Sequence, residues 1–141
     1  RSLWKVWLDV NKDKIQYGAQ FLSKDIAEFL GLDPETAQFA FAMCDIRKAL
    51  HLRGMHFSAD GMRGTGFQIV PAEGNAKVML QGIAAATNQI REMAILGENT
   101  STDGMSLEDQ ARHDRALEKA QTKFALLSHK AIVTKQPKQL N

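Results

Sequence analysis

The sequence predicts a mainly α protein with a small β-hairpin, the hairpin set ahead of a C-terminal helical hairpin. Three observations carry this. Apolar residues recur at spacings of three and four along most of the chain, the signature of helices with one buried face. One stretch, residues 55–70, instead alternates at period two on either side of a cluster of turn residues. Three prolines and one tyrosine in 141 residues do not fit an all-β chain full of tight turns.

The totals are those of a globular chain, with 44% hydrophobic and 24% charged residues, which argues against disorder of the whole. A net charge of +2 is too mild to imply nucleic-acid binding by itself. Its distribution is more informative. Residues 46–70 hold Arg47, Lys48, Arg53 and Arg63 against Asp60 alone. The single cysteine, Cys44, cannot form an intramolecular disulfide, which fits a reducing, cytoplasmic setting. No apolar run approaches the roughly 18 residues of a membrane span, and no signal peptide is visible. The chain begins with Arg rather than Met, as it would if an upstream segment were missing.

Leu3, Val6, Trp7 and Val10 fall at helical spacing, and Ser2 is placed to cap them; residues 4–8 would also suit a strand, but the helix is the favoured reading. A helical continuation is expected around residues 15–21. The aromatics Trp4, Trp7, Tyr17 and Phe21 read as core or dimer contacts. Ser23 is expected to cap a second helix ending at Gly31, a residue that takes the left-handed conformation without steric cost. Asp33 is expected to cap the third helix, with Pro34 at its first position. In that helix, residues 38–53, Phe39, Met43, Ile46 and Leu50 form a buried stripe. Phe41 breaks the amphipathic pattern, so it either packs on a neighbouring element or lies at an interface.

Residues 55–58 and 66–70 read as two strands joined by the glycine-containing, basic segment 59–65. A long helix follows over residues 75–96, with Met79, Ile83, Ile90 and Ala94 on its apolar side and Gly97 as its C-cap. After a polar loop, Ser106 opens a last helix with Asp109 in a capping-box position. Leu117, Ala120, Phe124, Leu127 and Ala131 repeat there as a short heptad seam.

Helix, turn, second helix and basic hairpin, in that order, make a winged helix-turn-helix, followed here by a C-terminal helical hairpin. The physical logic is a helix entering the major groove while phosphate contacts set its register. Arg47, Lys48 and His51 are available on the second helix, with Arg53 close behind. Gln38 sits near that helix's start, where base edges are usually read. Ile46-Arg47-Lys48-Ala49-Leu50 and Met62-Arg63-Gly64-Thr65-Gly66-Phe67-Gln68-Ile69 resemble the recognition helix and wing of response-regulator effector domains. The resemblance covers about 30 of the 141 residues. It implies that Arg47 and Lys48 face DNA and that Arg63 contacts the backbone, with Gly64 and Gly66 shaping the wing. The N-terminal sheet of that family is not legible in this sequence.

Other chemistry has weaker support. Residues 61–66 lack the flanking strand and helix and the Lys-Ser/Thr pair of a phosphate-binding loop. His51 and His56 could meet across a helix–strand junction, but no Cys or acidic cluster completes a metal site with them. Cys44 reads as a structural or surface thiol. No catalytic, metal or cofactor site is expected.

The expected division is a winged helix-turn-helix over residues 1–72, a self-associating helical hairpin over 73–134, and a flexible tail over 135–141. The expected function is that of a non-enzymatic DNA-binding protein. It would be a homo-oligomer acting on double-stranded DNA as a transcriptional regulator, or in replication, partition or phage packaging. Leu117, Phe124 and Leu127 are the expected oligomerisation contacts. The alternative is a protein-binding adaptor built on the same scaffold.

Overall fold

The computed structural model describes residues 2–128. Ala131 of the heptad seam and the expected tail lie outside the described residues. The protein is mainly α, with five α-helices and one small antiparallel sheet among the described residues. The described residues divide into two compact units, one up to Met79 and one from Leu80.

The first unit opens with helix α1, Leu3–Val10. Its inward side is Trp4, Trp7 and Leu8, while Leu3 and Val10 are exposed. The helix was expected where it lies, but the apolar spacing picked a face turned partly to solvent. The expected continuation over residues 15–21 does not form. Gly18, with φ at +87°, redirects the chain, and Gln20–Leu22 become strand β1. Tertiary pairing overrides local pattern here. Ile69 donates its N–H to the Ala19 carbonyl at 2.8 Å, and Ser23 donates to that of Thr65 at 3.0 Å.

Helix α2, Ser23–Leu30, follows β1 directly. Ser23 is therefore a helical residue and not the cap. Gly31 closes the helix at φ +67°, with Leu32 N–H returning to the Ala27 carbonyl at 2.9 Å. In the break after it, Asp33 Oδ1 accepts from Glu35 N–H at 2.9 Å, making a turn. Thr36 supplies the cap of α3, Ala37–His51, its Oγ1 accepting from Phe39 N–H at 3.3 Å. The start of α3 thus lies beyond Asp33-Pro34, because two capping residues stand in series and the second is used.

The stripe Phe39, Met43, Ile46 and Leu50 is buried as its spacing requires. Strands β2, Phe57–Ser58, and β3, Gly66–Ile69, complete an antiparallel sheet of order β1-β3-β2. Phe57 opposes Ile69, and Phe21 opposes Phe67. Gly66 opposes Leu22, and a Cβ at Gly66 would strike the Phe21 carbonyl oxygen. Glycine is needed there for close backbone approach. Helices and sheet meet in an aromatic cluster. Phe21 lies edge-on to Trp7 at 5.3 Å and to Phe57 at 5.8 Å between ring centres, and Phe67 stacks on Phe57 at 5.1 Å. Ile46, Leu50, Phe57 and Ile69 are fully buried, each stabilising the fold by about 1.5–3 kcal/mol.

Helix α4, Asn75–Asn99, begins within this first unit, where Asn75 Nδ2 donates to the Gly54 carbonyl at 2.9 Å.

The second unit holds the rest of α4 and helix α5, Leu107–Ser128. Ser106 caps α5 as expected, its Oγ accepting from Asp109 N–H at 3.1 Å. Gly97 is not a C-cap. It lies inside α4 as a contact point, where an added Cβ would come within 2.9 Å of the Leu117 side chain. Gln121 Nε2 reaches Glu98 Oε1 at 3.2 Å. Leu117 of the predicted seam therefore packs within its own chain. Ala94 is the one buried hydrophobic residue of this unit among those described.

Candidate nucleic-acid interface

The geometry of α3 sorts the predicted residues onto different faces. At 3.6 residues per turn, Gln38 and Arg47 are about two and a half turns apart and so lie on opposite flanks. Gln38 shares its flank with Asp45, seven residues on. Arg47 shares the other flank with His51, one turn on. Lys48 stands between them on the outer face, exposed, in line with Cys44 and Phe41. That outer face is more apolar than expected. Phe41 is 68% exposed, and Leu52, just past the helix, is 91% exposed.

Arg47 is half-buried. Its Nε donates to the Phe57 carbonyl at 3.1 Å, tying α3 to β2. Part of its guanidinium is thus engaged in holding the hairpin against the helix. His51 continues the same junction. Its Nε2 lies 2.8 Å from His56 Nδ1, with ring centres 5.1 Å apart and planes at 26°. The two histidines therefore meet across the helix–strand junction. The centre-to-centre distance is about the nitrogen separation plus two ring radii, so the rings face each other end to end. Among the described residues, no group of three His, Cys, Asp or Glu side chains comes together.

Burial holds the His56 pKa below its ordinary value, reinforced by the nearby His51 and Arg47 charges and opposed by Asp60.

The hairpin tip is built from successive tight turns. Thr65 N–H returns to the Met62 carbonyl at 3.0 Å, and Ser58 Oγ accepts from Asp60 N–H at 3.1 Å. Gly61 and Gly64 have positive φ, and so does Arg63, at +52°. Arg63 is held in a conformation few non-glycine residues take, with its side chain exposed. Arg53 is exposed near the end of α3.

The structure thus brings Arg47, His51 and His56 together at the junction of helix and hairpin. It places Lys48 on the outer face, Arg63 and Gly64 at the tip, and Gln38 on the far flank. Of the apolar outer stripe only Phe41 stood out in the sequence; Leu52 fell within the expected helix 38–53 but lies just past the end of α3.

No protein-family model matches the chain, and no curated protein or solved structure matches it.

Proposed function

We propose that the protein binds double-stranded DNA through α3 and the β2–β3 hairpin, as a winged helix-turn-helix. One observation carries this reading. α2 and α3 are joined by a short break after a left-handed glycine, and a three-stranded sheet places a hairpin with an exposed arginine after the second helix. Lys48, His51, Arg53 and Arg63 supply exposed cationic or protonatable groups on these elements, the footprint expected of a phosphate-binding surface. The role is that of a cytoplasmic regulator of transcription, or a factor in replication, partition or packaging.

Self-association belongs to the same proposal. Among the described residues, the second unit buries one hydrophobic residue, Ala94, too little for a core. Leu80, Ile83, Leu96, Leu126 and Leu127 are exposed on it, and a second copy of the chain would cover them. Pairing would also raise the effective concentration of a second DNA-binding module.

The test is titration with random-sequence duplex DNA at two salt concentrations. Affinity should fall steeply as salt rises. No binding at low salt would remove the proposal. The exposed Phe41 and Leu52 favour a second reading, a protein-binding adaptor. Under that reading DNA is ignored, while a Phe41→Ser, Leu52→Ser variant loses a protein partner.

A further inference from the structure

The end-to-end histidine pair stands at the junction of the two elements proposed to hold DNA, and it bears on the ligand chemistry of that surface. A 2.8 Å contact between two ring nitrogens requires one to carry a proton and the other a lone pair. The neutral pair satisfies this. A pair carrying one extra proton does too, with the added proton on an outer nitrogen. A pair carrying two cannot, because both facing nitrogens then bear hydrogens and both rings bear charge. The charged groups around His56 are His51 and Arg47 on α3 and Asp60 in the hairpin turn. Outside the pair, Arg47 opposes a second proton and Asp60 favours one, so it is the mutual repulsion of the two charged rings that makes a doubly charged pair separate or find an anion.

We propose that His51 and His56 form a proton-gated phosphate site, closed on itself when neutral and open to a DNA phosphodiester when both rings are charged. This rests on the DNA-binding reading. The second proton comes from solvent, breaks the ring-to-ring hydrogen bond, and frees N–H donors beside the Arg47 guanidinium. A phosphate there offsets the repulsion that otherwise keeps the second proton away. Binding DNA and taking up a proton are then the same event.

The experiment measures affinity for one random-sequence duplex at pH 7.5 and 5.5, at constant salt, for the parent chain and the His51→Gln and His56→Gln variants. Uptake averaging about half a proton across these two pH units should tighten parent binding by about ten-fold, and the same ratio should fall below about two-fold in either variant. An equal response in parent and variants would overturn the site while leaving DNA binding in place. Failure of all three proteins to bind at either pH would overturn the DNA reading and the site with it. A second measurement needs no DNA. In an imidazole NMR titration of the free protein, His51→Gln should raise the midpoint of His56. An unmoved midpoint would mean that the rings do not share a proton, and would overturn the proposal whatever the binding data.

Discussion

Arg63 is the one non-glycine residue with positive φ among those described. It holds φ +52° at the hairpin tip with its side chain exposed. Under the DNA reading, Arg63→Ala should weaken binding to all sequences alike and lower the salt slope by about one. Arg63→Gly should do the same while relieving backbone strain, so its unfolding midpoint should exceed that of Arg63→Ala. Gln38, expected to read base edges, and Arg47, expected to face DNA, sit on opposite flanks of α3. His56 makes a separate prediction for the free protein. Its folded pKa is depressed, so protonation favours the unfolded chain. The contribution is fully present above about pH 6.5 and is lost as pH falls through the lowered folded value. Thermal unfolding at pH 7.5 and 5.5 should show a smaller acid loss in His56→Gln than in the parent.

At the scale of elements, the α3 stripe was legible because four apolar residues at 4, 3, 4 spacing leave one helical face to bury. Gly31 was legible because a left-handed terminus selects for glycine. Strand β1 was not. Three residues with one inward side chain, Phe21, are too few to display a period of two. What makes them a strand is β3, more than forty residues later. The same pairing explains Gly66, assigned only a wing-shaping role by resemblance. Gly66→Ala should push β1 off β3 and destabilise the fold by about 1–3 kcal/mol in denaturant unfolding. The histidine contact at the α3–β2 junction was foreseeable as a meeting. Its end-to-end alignment was not, because ring orientation follows from packing and leaves no trace in spacing.

Across the whole molecule, burial is uneven. Among the described residues, all buried hydrophobics except Ala94 belong to the first unit. The seam on α5 was readable as a periodicity, but a heptad pattern is the same whether its partner helix lies in the same chain or another. Leu117 turned out to meet Gly97 of its own chain. Leu126→Asp with Leu127→Asp should therefore lower the sedimentation mass if a second copy covers this unit, whereas Leu117→Ala should chiefly loosen the hairpin. An unchanged mass in the aspartate variant would count against self-association through these residues.

One oxygen atom in the first unit has consequences for how that unit opens. The Gly54 carbonyl accepts from the Tyr17 hydroxyl at 3.0 Å and from Asn75 Nδ2 at 2.9 Å. It sits just after α3, yet its donors come from the loop before β1 and from the first residue of α4. Three segments distant in sequence meet at one acceptor, so a shift of Gly54 releases both donors, whereas loss of one donor leaves the carbonyl with the other. The amides near Tyr17 and Asn75 should therefore exchange faster together when the end of α3 is loosened, and separately when either donor alone is removed.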